Sequence, residues 1–149
     1  MRDAVLWAMR LLLAGLFFYA GGQKLLDPSA FALEISRYEL WPQYAGYAAA
    51  TLPAAELLVA LGIVFFPAGL RRAAALAAAG MLVAFTAAAA SAVLRGLDIE
   101  CGCFGEGSGQ VTWLTLGRNL VLLAVSIALV REGPRLSARG ASASRAPRT

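Results

Sequence analysis

Apolar residues fall into four long runs, Ala4 to Gly22, Tyr44 to Phe66, Ala73 to Leu94 and Thr112 to Val130, divided by short stretches in which charges, glycines and prolines collect. About 20 consecutive apolar residues suffice for a helix to cross a bilayer, so each run is a candidate transmembrane helix. Between the first two runs the pattern changes. Asp27-Pro28 supplies a capping carboxylate and a proline at the first helical position, and Phe31, Ile35 and Tyr38 then recur at helical spacing, opposite Glu34 and Arg37 in this reading. A short amphipathic helix closed by Trp41-Pro42 is expected there, lying at the interface and roofing one side of the bundle mouth. The fold class is therefore all-α: an integral membrane bundle of four transmembrane helices with a short interfacial amphipathic helix in the first outer loop. Residues 1–131 form the membrane domain. Residues 132–149, built of Ala, Ser, Arg and Pro without an apolar face, are expected to be a disordered basic cytoplasmic tail.

Composition agrees with the pattern. A hydrophobic share of 60% and a mean hydropathy of +0.68 exceed those of soluble domains. No nucleotide-binding loop or internal repeat is present, and the net charge of +4 is read as topology rather than as a nucleic-acid footprint. Arg2, Arg71, Arg72, Arg131, Arg135, Arg139, Arg145 and Arg148 fall on one side of the spans, against Lys24, Arg37 and Arg95 on the other. Cytoplasmic loops carry the excess of Lys and Arg, which predicts both termini inside. The first run is read as an uncleaved span, because Phe18-Tyr19-Ala20 places a bulky residue at the obvious signal cleavage point and Lys24 follows at once.

This orientation puts the two cysteines of the chain, Cys101 and Cys103, in an outward loop where disulfide chemistry persists. A Cys-Gly-Cys pair closes only a very small ring, whose geometry is hard to satisfy, and strained disulfides are labile and oxidising. Exchange of electrons suits it better than structural cross-linking, since so small a ring constrains almost no chain entropy. A nearby helix N-terminus favours a thiolate, whereas Glu100 and Glu106 oppose one.

Charged residues inside the spans mark the other candidates. Glu56, following Pro53 in the second run, lies about 20 Å along its helix at 1.5 Å per residue. It is expected to face the bundle interior with a partner. Arg118, beside Asn119 in the fourth run, is the expected partner, with Arg10 a weaker one; a register-fixing ion pair and the lining of a polar pocket are both open readings. Gln23 to Leu26 are expected to ride at the outer interface. A turnover of dithiols needs an electron acceptor, and a membrane quinone beside Phe104, Trp113 and Tyr19, hydrogen-bonded to Arg118 or Asn119, is one candidate; an interfacial aromatic belt explains the same rings.

Four motifs in order, Gly22-Gln23-Lys24-Leu25-Leu26-Asp27-Pro28, Leu52-Pro53-Ala54-Ala55-Glu56-Leu57, Cys101-Gly102-Cys103-Phe104-Gly105 and Arg118-Asn119, resemble the MauE/DoxX family of redox-associated membrane proteins. The resemblance implies a four-helix protein of the bacterial inner membrane that assists disulfide formation or maturation of a periplasmic enzyme. A client like the methylamine dehydrogenase small subunit and a thioredoxin-like partner are what it leads one to expect. The chain is also somewhat similar to quinone-coupled thiol oxidases of the DsbB and vitamin K epoxide reductase type, but has Cys-x-Cys in place of Cys-x-x-Cys and lacks their second pair. Two other classes compete with thiol-disulfide exchange: capture of a soft ion such as Cu(I) by the thiolates, and a non-catalytic anchor that assembles a partner enzyme.

Overall fold

The computed structural model describes residues 1–97 and 111–132. Within these residues the order is α1 (Arg2–Leu26), α2 (Pro28–Arg37), a 3-10 turn (Pro42–Tyr44), α3 (Ala45–Phe65), α4 (Ala68–Leu94) and α5 (Trp113–Arg131). Helices α1, α3, α4 and α5 are each long and apolar enough to cross a bilayer, and the chain is a multi-pass membrane protein. Cys101, Cys103, Phe104, the acidic residues Asp98, Glu100 and Glu106, and the tail from 133 onward lie outside the described residues.

Two helices outrun the sequence expectation. Helix α1 continues through Gly21-Gly22, past the end of the first apolar run, to Leu26. Helix α4 begins at Ala68, so Arg71 and Arg72 sit in its first turns. Arginine is a good helix former, and its long stem carries the charge from the helix end back to water.

Helix α1 packs chiefly on α3 and α4 chiefly on α5, while α3 and α4 join the two pairs. The main core is small-residue rich: Leu13, Ala14 and Phe17 of α1, Val59, Ala60 and Ile63 of α3, Ala75, Ala78 and Leu82 of α4, and Leu122 and Leu129 of α5. Hydrophobic force does little between helices in lipid, so close contact and buried hydrogen bonds must hold them. Both occur. A Cβ on Gly21 would lie 3.0 Å from the Pro53 carbonyl oxygen and 3.1 Å from Glu56 Cβ, and one on Gly62 would lie 2.8 Å from Ala74 Cβ. Ser126 Oγ of α5 donates to the Ala75 carbonyl of α4 at 2.7 Å, fully buried.

The Gly21 contact sets the stagger of α1 against α3. From that level α1 runs only about 7 Å further before it ends, whereas α3 extends about 14 Å back to its start, at 1.5 Å per residue. Helix α2 packs on α3 within this step and touches α1. Its start is as the sequence predicts: Asp27 Oδ1 accepts from the Ala30 backbone N–H at 2.9 Å and from Ser29 Oγ at 2.6 Å, with Pro28 at the first position. These donations, that of Ser29 first and that of Ala30 next, hold the Asp27 carboxyl below its ordinary range. Two details differ from expectation. The helix stops at Arg37, and Glu39 at φ 54° reverses the chain before Trp41-Pro42. Glu34 is buried with Phe31 instead of opposing it, because residues three apart on a 3.6-residue turn lie about 60° apart.

Arg95, just past α4, ties this roof down. Its guanidinium donates to the Tyr38 carbonyl and stands 3.7 Å from the Glu39 carboxylate.

Candidate functional site

Lys24 is the centre of the polar interior. It was expected at the interface, yet it is 3% exposed and pairs with the equally buried Glu56 of α3. The cause is the stagger just described: α1 ends below the rim of the bundle, and Gly21, one turn earlier, lets α1 approach α3 closely enough for the lysine to meet the carboxylate. The ammonium also lies 5.0 Å from the centroids of Phe31 in α2 and Phe85 in α4. Ring faces attract cations, and desolvation strengthens that attraction. One side chain of α1 thus contacts α2, α3 and α4 at once.

The expected Glu56–Arg118 pair is therefore corrected in its cation. Glu56 does face inward, at 1% exposure, but its ion-pair partner is Lys24. Arg118 is half-buried and lines, with Lys24, Glu56, Phe85 and Asn119, a small cavity of about 40 Å³. Glu56 Oε2 has no hydrogen-bond partner among the described residues. Arg10 stands at the opposite end of the bundle, stacked 5.4 Å from the Trp7 ring and sharing a notch with Arg71, Arg72 and Glu132.

A second and larger cavity, about 300 Å³, lies beneath α2. Phe31 and Tyr38 from the roof, Tyr44 beside α3 and Phe85 from α4 wall it, and Lys24 and Asn119 stand at its polar end. Asn119 is 4% exposed and borders both cavities. Sequence reading singled out Asn119, but missed Lys24, Phe31 and Phe85 as a group. The four-residue run from Lys24 to Asp27 was a signal of sorts, since a lysine followed by a helix break three residues later marks where α1 must turn.

Trp113 and Tyr19 are not part of either chamber. They are 69% and 53% exposed, directed away from the interior. Rings in such positions belong to the aromatic belt of an interface. Phe104, the third ring of the expected quinone site, lies outside the described residues together with both cysteines.

Leu97, after α4, and Val111, before α5, pack into one apolar cluster with Ala89, Ala92, Leu116 and Tyr38. Thr112 caps α5 through a reciprocal capping box with Thr115. Leu97 and Val111 therefore share one patch, next to the larger chamber, whose wall includes Tyr38 and Ala89.

Comparison with known proteins bears on the same elements. The family model for methylamine utilisation protein MauE matches residues 2–131. A protein named methylamine utilization protein MauE in Paracoccus denitrificans is 43% identical over 133 residues, covering 87% of this chain and 70% of the relative. Its namesake in Paracoccus versutus is 44% identical over 124 residues, covering 81% of this chain and 66% of the relative. No solved structure matches. With the match running from the start of α1 to the end of α5, the chain belongs to the MauE family.

Proposed function

We propose that this protein acts in methylamine utilisation as a membrane thiol-disulfide exchange protein, with Cys101 and Cys103 as the exchanging pair and an extracytoplasmic enzyme subunit as client. The observation that supports this reading is the packing of Leu97 and Val111, the described residues on either side of the cysteine segment, into one patch at the α2 end of the bundle. The arginine-rich opposite end supports an outward-facing mouth under the positive-inside rule.

A thiolate of the client attacks one sulfur of the Cys101–Cys103 disulfide, forming a mixed disulfide and releasing the other cysteine as thiolate. A second client thiolate then attacks the mixed disulfide. The client leaves with its own disulfide, and the Cys pair is left reduced by two electrons. A thioredoxin-like protein fits the same chemistry as an intermediate carrier.

Single substitution Cys103→Ser leaves Cys101 without a resolving thiol: presented with an oxidised client or thioredoxin-like disulfide, its thiolate attacks one partner sulfur and displaces the other as thiolate, and the resulting mixed disulfide should accumulate as an adduct that is sensitive to reductant and identifiable by mass spectrometry. The reciprocal Cys101→Ser variant tests the other sulfur. Absence of an adduct in both variants, with methylamine-dependent growth intact in the double Ser variant, would refute the exchange function and leave an assembly role.

A further inference from the structure

We propose that the chamber of about 300 Å³ beneath α2 binds the head ring of a membrane quinone, with the Asn119 amide donating to a ring carbonyl. The assignment rests on the exchange function for its choice of oxidant: a reduced cysteine pair must pass two electrons to an acceptor before it can serve again.

The chamber has the size and lining of a small-molecule site, largely apolar with a few convergent polar groups. Five of its wall residues, Phe31, Tyr38, Trp41, Tyr44 and Phe85, present aromatic rings, which favour a flat ligand over a branched one. Its polar end is selective. The Lys24 charge is already matched by Glu56, so among the described residues the chamber wall offers no spare cation for an anionic ligand. Asn119, nearly fully buried, offers a neutral donor suited to a carbonyl oxygen. The ligand that fits is therefore a neutral ring carrying carbonyl groups.

The rim points to a lipid-borne molecule. Leu40, Trp41 and Tyr44 line the chamber and are 41%, 67% and 59% exposed, so its edge is open and largely apolar. A quinone can enter sideways from the membrane without crossing water. Tyr38 and Ala89 are shared between the chamber wall and the cluster that holds Leu97 and Val111, the described residues on either side of the cysteine segment.

The electron count closes. Cys101 and Cys103 each lose one S–H proton, an S–S bond forms, and two electrons and two protons pass to the two ring carbonyls, giving the quinol. No further reactant is required.

The test uses the full chain in quinone-free lipid nanodiscs, titrated with decyl-ubiquinone and read by quenching of tryptophan fluorescence. Saturable quenching is expected. Ala88→Phe, which fills the chamber, and Asn119→Leu should each weaken binding by about tenfold, the loss of one well-placed contact of about 1.4 kcal/mol. Val83→Phe, on the exposed face of the same helix, should bind as the parent does. Should Ala88→Phe fail to fold, a photoreactive azido-quinone on the unaltered protein should label peptides of α2 or α4. Quenching that is unsaturable or equal in all variants, labelling confined to residues outside the chamber wall, or equal affinity for a decylbenzene lacking carbonyls would overturn the assignment. Thiols that cycle without saturable quinone binding also overturn it, while leaving the exchange function intact. Conversely, quinone bound at the chamber in a protein whose thiols never cycle supports the site and removes the exchange function.

Discussion

Lys24 and Glu56 are two charges that neither residue's surroundings would tolerate alone. Burying a single unpaired ion inside a membrane bundle is costly, whereas a pair with supporting contacts persists. Lys24→Met or Glu56→Leu should therefore each destabilise the bundle by about 3–5 kcal/mol. The double variant should recover most of that loss, because it leaves no orphaned charge. Unfolding in mixed micelles measures all three, and a double variant as damaged as the sum of the singles would show that the pair does not interact. Asp27 makes a different prediction. Its carboxyl is held below its ordinary range by hydrogen bonds present only in the folded state, so its contribution is fully present above the unfolded value of about 3.9. That contribution is lost as pH falls through the lower folded value. Amide exchange at Ala30 should accordingly rise relative to an Asp27→Asn reference below about pH 4, and identical pH profiles for the two proteins would contradict the cap. The Asp27-Pro28 cap was legible in sequence because it depends on neighbours along the chain. The Lys24 site was not, since hydropathy gives the depth of a residue along its own helix and says nothing of the stagger between helices.

At the level of helices, close approach is set by a few small side chains. Gly21 seats α1 on the Pro53–Glu56 stretch of α3, and Ser126 fastens α5 to α4. Gly21→Val should push α1 outward and separate Lys24 from Glu56, lowering stability by more than Ser126→Ala. The latter should cost about 0.6–1.7 kcal/mol, the range of interhelical hydrogen bonds in membranes. Thermal unfolding of the two variants in one detergent decides the order, and a Gly21→Val protein as stable as its parent would remove the stagger argument. Alanine-rich α4 packs on both α5 and α3, though its glycine at position 80 meets nothing within 4 Å and contributes no close contact. Arg95 holds the α2 roof by an exposed ion pair and a carbonyl hydrogen bond. An exposed pair alone is worth little, so the roof depends chiefly on Phe31, Glu34 and Lys24 beneath it.

Over the whole molecule, the four spans and the roof helix were readable from hydrophobic periodicity, because a bilayer imposes length and apolarity on every crossing segment. The pairing of α1 with α3 and of α4 with α5 was not, as nearly uniform apolar faces carry no record of which neighbour they meet. Membership in the MauE family was legible through motifs that turn out to surround one end of the bundle: the α1–α2 corner, the Pro53–Glu56 turn and Arg118-Asn119 all border the two chambers. That end is the proposed mouth at which the Cys101–Cys103 pair changes oxidation state. The most direct measurement is differential alkylation in intact cells, with a membrane-impermeant maleimide applied before and after a pulse of reductant and the mass of the peptide carrying both cysteines then recorded. A pair protected as a disulfide before the pulse, labelled from outside after it and protected again on removal of reductant is the predicted result. Thiols that are reached only after the membrane is permeabilised, or whose labelling never changes with redox conditions, would contradict it.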